Sequence, residues 1–176
     1  LPGTTACIVG TGTLGRGVAD ILGSLGVETV GVRRSDDPLP EFDEMYAVET
    51  LHQPIAAADF VIVTVPLTEA TRGLFATAEF DAMRSDAYFV NVARGAVVDE
   101  QALIDSLNAG DIAGAALDVF ETEPLPETSP LWEMDEVIVT PHAAAYTRDY
   151  FRDVGGIVRE NVERLERGES LTNQVV

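Results

Sequence analysis

Ala6-Cys7-Ile8-Val9-Gly10-Thr11-Gly12-Thr13-Leu14-Gly15 is the stretch that decides the fold of this 176-residue chain. Four apolar residues read as a short buried strand and run without a linker into Gly-x-Gly-x-x-Gly. A helical pattern over residues 14–25 begins inside the glycine motif. Strand, glycine turn and helix in that order are the setting in which this motif binds a dinucleotide. Gly10 permits the tight turn, Gly12 lets the backbone approach a pyrophosphate, and Gly15 lets helix and strand pack closely. The helix start offers free N–H groups to the phosphates.

Outward from this unit, short β-branched runs alternate with helical stretches. Strands are expected at residues 6–9, 28–32, 60–65, 87–92, 112–119 and 137–140. Their apolar runs are nearly continuous, as in parallel strands covered on both faces. Helices are expected at 14–25, 54–58, 77–82, 99–109 and 148–167, with Asp99 as a starting cap and Gly110 as a stop. Repeated β-α-β units predict an α/β, doubly wound parallel sheet (a Rossmann fold) in a single domain over 1–176. Residues 124–130 form a proline-rich loop.

Composition narrows the partners. Thirty acidic residues face 11 basic ones, all arginine, for a net charge of -19. That charge argues against nucleic acid and anionic membranes. Hydropathy is ordinary, with 46% hydrophobic residues, so the acid belongs on the surface of a folded core. Self-repulsion of this size calls for salt, and the missing lysines point to a halophilic source. No apolar run approaches the roughly 20 residues that span a bilayer. The chain reads as soluble and cytoplasmic, and its single Cys7 as a buried structural thiol. His52, in a polar stretch, reads as exposed.

The second strand ends in Val32-Arg33-Arg34-Ser35, where an NAD site would carry an acid for the ribose 2′-hydroxyl. Two guanidinium groups and a hydroxyl suit a 2′-phosphate instead, which points to NADP(H) with NAD(H) as the alternative. Asp36 and Asp37 follow at once and oppose a phosphate if they face it.

Three further stretches carry chemistry. They are Asn91-Val92-Ala93-Arg94-Gly95 with Val97-Val98-Asp99-Glu100, then Leu117-Asp118-Val119-Phe120-Glu121-Thr122-Glu123-Pro124-Leu125-Pro126, then Thr140-Pro141-His142. With the glycine motif and Pro66-Leu67-Thr68 through Thr71 and Gly73-Leu74, their order resembles the cofactor domain of the D-2-hydroxyacid dehydrogenase family over the whole chain. Arg33-Arg34-Ser35 and Ser129-Pro130-Leu131-Trp132 look most like the NADPH-dependent glyoxylate/hydroxypyruvate reductases within it.

The resemblance implies a catalytic trio. Arg94 holds the substrate carboxylate and polarises the keto oxygen. His142 donates the proton, and Glu123 hydrogen-bonds the histidine and favours its imidazolium. Reducing a keto group builds negative charge on oxygen, which independently calls for a fixed cation and a proton donor. Glu121 lies two residues from Glu123, and only the Glu-Pro pattern selects the latter. Asp118 is implied to bind the nicotinamide carboxamide. Thr13, Leu14, Pro66, Thr71, Val92, Ala93 and the run from Ala143 through Ala144 to Ala145 are implied to line the groove. No metal site is implied.

The family also carries a substrate domain, much of it before the glycine motif, and usually dimerises through the cofactor domain. The expectation is therefore a homodimer acting on a small 2-keto acid, with the substrate domain outside these residues. Two other readings stay open: an NAD-dependent phosphoglycerate-type dehydrogenase, and a cofactor-sensing protein like the C-terminal-binding corepressors. Formate oxidation fits less well, since it has no alcohol proton for a Glu–His pair to remove.

Overall fold

The computed structural model describes residues 1–172; residues 173–176, the end of the single-domain reading, lie outside them. The strands are β1 (Thr5–Val9), β2 (Glu28–Arg33), β3 (Glu44–Ala47), β4 (Phe60–Val63), β5 (Tyr88–Asn91), β6 (Gly114–Leu117) and β7 (Val137–Val139). They form one sheet in the order β3-β2-β1-β4-β5-β6-β7, and every neighbouring pair is parallel. The helices are α1 (Thr13–Ser24), α2 (His52–Ala57), α3 (Thr77–Ala82), α4 (Glu100–Ala109) and α5 (Tyr150–Glu166). The doubly wound α/β architecture expected from the sequence is the one observed.

Contacts divide the chain into two compact units. The first, Leu1–His142, holds the sheet and α1 to α4. The second begins at Ala143 and holds α5, where Phe151, Val158 and Leu165 are exposed and Arg164 pairs with Glu160 at 2.9 Å.

In the first unit the larger core packs Phe75, Phe80 and Phe89 together, with ring centroids 5.1, 5.2 and 6.2 Å apart. All three are fully buried, beside Ile55 of α2 and Leu103 of α4. Complete burial of each such ring stabilises the fold by roughly 1.5–3 kcal/mol. A smaller core joins Ile8, Ala19 and Phe42, with Val18 and Leu22 of α1 against it. Helix α4 is bounded as its sequence predicts: the Asp99 side chain accepts from the Ala102 N–H at 3.1 Å, and Gly110 ends it at φ +74°.

β3 is the strand that sequence patterning does not give. Its Glu-Met-Tyr-Ala is short and none of it is fully buried, and it lies at the sheet edge, paired among the described residues with β2 alone. β4 also stops before the expected residue 65. There the Thr64 hydroxyl donates to the Gly10 carbonyl at 2.7 Å, and Pro66 turns the chain out.

Register then decides where the functional loops begin. Val32, Val9, Val63, Asn91, Leu117 and Val139 are direct neighbours in one row across six strands. Because every strand points the same way, the segments after these six residues all leave from one edge. The ladder continues one step into them. Gly10 N–H donates to Val32 C=O at 2.9 Å, and Thr64 N–H to Val9 C=O at 2.8 Å. Asp118 N–H donates to Asn91 C=O at 3.0 Å, and Thr140 N–H to Leu117 C=O at 2.9 Å.

Cys7 is fully buried, and burial pushes its thiol up to about 12, as befits a structural residue. His52 is exposed, as expected, and its Nε2 also meets Glu79 Oε1 at 2.8 Å. Among the described residues no helix is long and apolar enough to cross a membrane.

Candidate functional site

The edge defined by that row carries Arg33 at the end of β2, and Gly10, Thr64, Arg94, Asp118 and His142 in the segments that follow other strands. It also contains the point between β1 and β4 where the strand order reverses, the usual crevice for a ligand in an open α/β sheet.

Gly10 has φ +106°, and a Cβ there would lie 2.8 Å from the Val65 nitrogen, so only glycine fits the turn. A Cβ on Gly15 would collide with the Gly10 carbonyl, which brings α1 close against the strand. Gly12 differs: among the described residues nothing lies within 4 Å of where its Cβ would be, and no side chain caps α1. Uncapped N–H groups at the start of a 12-residue helix, facing open space, fit a pyrophosphate. Thr13 and Leu14 are exposed there. The residues of this turn therefore fit a dinucleotide.

At the end of β2, Arg33 is partly buried and Arg34 exposed, the latter without a side-chain partner among the described residues. Arg33 is engaged. Its Nη2 donates to Asp37 Oδ2 at 3.4 Å, and its Nε to the Ser35 carbonyl at 3.2 Å. The Ser35 hydroxyl donates to the same Asp37 oxygen at 2.8 Å. The acid whose direction the sequence leaves open thus faces the arginine.

After β4, Thr71 shapes the loop from within. Its hydroxyl donates to the Pro66 carbonyl at 2.6 Å and accepts from the Thr68 N–H at 2.8 Å. Pro66 itself is exposed.

After β5 the chain turns through Val92 and Ala93 to Arg94. Asn91, fully buried, fixes that turn: its Oδ1 accepts from the Ala93 N–H at 3.0 Å and its Nδ2 donates to the Arg94 carbonyl at 3.3 Å. Gly95 follows because a Cβ there would strike the Phe120 backbone. Arg94 is exposed, and its Nη1 donates to the Ala93 carbonyl at 2.6 Å.

The segments after β6 and β7 meet. His142 Nδ1 and Glu123 Oε2 are 2.7 Å apart, while the other Glu123 oxygen accepts from the Phe120 N–H at 3.1 Å. The histidine hydrogen bond above all holds the Glu123 carboxyl below the usual carboxylate range. Partial desolvation opposes this, and the Phe120 N–H and the charges of His142 and Arg94 assist it. Glu121 takes another path, its N–H donating to Glu100 Oε2 at 3.1 Å. Geometry therefore selects Glu123. His142 has φ +51°, a left-handed conformation that costs a non-glycine residue on the order of 1–3 kcal/mol. Its N–H donates to the Thr140 carbonyl at 3.1 Å. The Thr140 hydroxyl donates to buried Asp118 Oδ1 at 2.6 Å, linking β6 to β7 just beneath the pair.

The pair opens on a cleft of about 630 Å³ whose wall includes Phe120, Leu125, Trp132 and Pro141. Trp132 is anchored by its Nε1–H, which donates to the Pro126 carbonyl at 2.9 Å. Such an apolar wall with few polar groups suits a small ligand. Among the described residues no cluster could hold a metal ion.

Geometry thus joins Glu123 with His142, and the charge of Arg94 bears on Glu123. Asn91, Thr64 and Thr140 emerge as positioning groups that motif reading quotes or passes over without a role. Ala144 belongs to the second unit.

The family model for the D-isomer specific 2-hydroxyacid dehydrogenase, NAD binding domain, matches residues 1–144. A glyoxylate reductase of Korarchaeum cryptofilum is 37% identical over 182 residues, covering 99% of this chain and 53% of that protein. A D-3-phosphoglycerate dehydrogenase of Methanocaldococcus jannaschii is 37% identical over 179 residues, covering 99% of this chain and 33% of that protein. The chain thus spans about half or less of the length of these curated relatives. The crystal structure of a D-isomer specific 2-hydroxyacid dehydrogenase from Xanthobacter autotrophicus Py2, in complex with NADPH and MES, superposes with TM-score 0.91 at 41% identity. That match covers 98% of this chain and 71% of the other. On its motifs, its sheet order and this family match, the chain belongs to the D-isomer specific 2-hydroxyacid dehydrogenase family and comprises its NAD-binding domain.

Proposed function

We propose that this chain is the cofactor-binding part of an NADPH-preferring reductase of small 2-keto acids, which runs D-2-hydroxy acid oxidation in reverse. One observation carries the reading: the 2.7 Å Glu123–His142 pair, open to a cleft and within the field of Arg94. A nicotinamide cofactor, when bound, supplies the hydride. Gly10, Gly12 and Gly15 with the start of α1 would hold its pyrophosphate, and Arg33, Arg34 and Ser35 its 2′-phosphate. Asp118 would accept from its carboxamide. Thr13, Leu14, Pro66, Thr71, Val92 and Ala93 would line the rest of the groove.

The residues of the chain then divide the proton work. Arg94 binds the substrate carboxylate and draws charge onto the keto oxygen. Glu123 engages Nδ1 of His142, which leaves Nε2 as the nitrogen that gives its proton to that oxygen. In the oxidative direction the same nitrogen accepts the proton.

An NAD(H)-dependent phosphoglycerate-type dehydrogenase is the second reading, and the Asp37 carboxylate on Arg33 is the observation that favours it. Residues 1–176 form one cofactor domain in this proposal, with the substrate domain supplied by the rest of the protein. Its charge of -19 and lack of lysine suit a cytoplasmic protein of a salt-adapted organism, remote from nucleic acid and anionic membranes, and the homodimer is proposed from the family resemblance.

The test is turnover of glyoxylate and hydroxypyruvate by the full-length protein with NADPH and with NADH. Faster turnover with NADPH is expected. Cofactor binding without turnover of either acid would instead favour a sensing role.

A further inference from the structure

Arg33 and Ser35 converge on one acceptor that belongs to the chain itself. Asp37 Oδ2 accepts from the Ser35 hydroxyl at 2.8 Å and from Arg33 Nη2 at 3.4 Å, and the Asp37 carbonyl takes a further bond from Arg33 Nη2 at 3.3 Å. The same two side chains are the donors that the proposed function assigns to a 2′-phosphate. A phosphate needs what this carboxylate already has: a guanidinium and a hydroxyl directed at a single anionic oxygen.

We infer that Asp37 is a cofactor-specificity residue, an internal anion that the 2′-phosphate of NADPH must displace from Arg33 and Ser35 and that NADH leaves in place. This rests on the assignment of the 2′-phosphate to the end of β2. The Asp37 side chain is 76% exposed, and an exposed ion pair of this kind is weak, so displacement is feasible. It still carries a cost. NADPH loses the Arg33–Asp37 attraction and must tolerate a carboxylate near its dianion, with Asp36 adjacent in sequence. NADH has a hydroxyl at that position and meets neither penalty. Arg34, exposed and unpaired among the described residues, remains for the phosphate. Asp37 thus narrows the preference for NADPH that two arginines would otherwise set.

The experiment measures dissociation constants of NADPH and NADH by fluorescence titration of the full-length protein. It compares the unaltered protein with Asp37→Asn and with Arg33→Ala/Arg34→Ala. The amide keeps the size of the carboxylate and can still accept from Ser35 without the charge. Asp37→Asn should tighten NADPH binding about 1.5- to fivefold, the range an exposed ion pair allows, and raise the NADPH-to-NADH preference by the same factor. Molar salt should shrink that gain, because the interaction is Coulombic and exposed. A preference unchanged by Asp37→Asn, with Arg33→Ala/Arg34→Ala selectively weakening NADPH, would overturn the competitor role and leave the phosphate assignment standing. Weaker NADPH binding in Asp37→Asn would make Asp37 a support that aims Arg33, again against the proposal. Equal losses for both cofactors in Arg33→Ala/Arg34→Ala would remove the phosphate assignment, and this inference with it.

Discussion

Nδ1 of His142 is bound to Oε2 of Glu123 at 2.7 Å, although the two lie 19 positions apart in sequence with strand β7 between them. If His142 delivers the proton, His142→Ala in the full-length protein should lower keto-acid turnover by about 10²–10⁴-fold or more, the worth of acid–base assistance. NADPH affinity should stay near that of the unaltered protein. Steady-state kinetics and cofactor titration check both, and near-normal turnover would dismiss the assignment.

Glu123→Gln keeps a hydrogen-bond acceptor beside His142 and removes the charge. Without the carboxylate the bond that orients His142 is weaker, so keto-acid turnover should fall while the NADPH dissociation constant stays near that of the unaltered protein. Turnover equal to that of the unaltered protein would argue against a positioning role for Glu123.

The same carboxyl makes a prediction about stability. Glu123 is held below the usual carboxylate range, so the folded state favours its ionised form. Its contribution is present at pH values above the ordinary carboxylate range and is lost as pH falls through the depressed value. The difference in melting temperature between the unaltered protein and Glu123→Gln should therefore be largest near neutrality and shrink on acidification. A difference that grows in acid would reverse the sign expected here.

Asn91→Ala leaves the Ala93 N–H and the Arg94 carbonyl without their buried partner. A loss of about 1–3 kcal/mol in denaturant unfolding is expected. The Arg94 turn should loosen as well, so the KM for the keto acid should rise more than the dissociation constant of the cofactor. A variant with normal KM would confine Asn91 to stability.

Thirty acidic residues against 11 arginines predict a salt response. Raising salt from about 0.1 M to 1 M shortens the Debye length from about 10 Å to about 3 Å, and the melting temperature should climb. A flat or falling curve would refute salt adaptation.

Much of this molecule is legible from its residues because the physics is local. The β1 run and glycine motif define a strand-turn-helix unit by composition alone, and Asp99 and Gly110 bound α4 by their own capping chemistry. β3 escapes because Glu44-Met45-Tyr46-Ala47 owes its strand form to pairing with β2 and not to a pattern of its own. The choice of Glu123 over Glu121 follows the Glu-Pro motif in the sequence, but its physical reason lies in the Phe120 N–H and His142. Asp37 shows the opposite limit. Its charge is plain in the sequence, whereas its direction depends on the fold of the loop after β2.

The row from Val32 to Val139 also bears on how this protein can vary over generations. Six segments are indexed against one another by backbone hydrogen bonds, so each keeps its place only while its strand keeps its length. Inserting one residue within β5 would carry Arg94 on by about 3.3 Å and turn alternate side chains to the opposite face. Exchanging a side chain beyond the row disturbs no neighbour's register. Inherited change at this edge should therefore be spelled in substitutions and in loop lengths beyond the row, while the strands beneath tolerate neither insertion nor deletion.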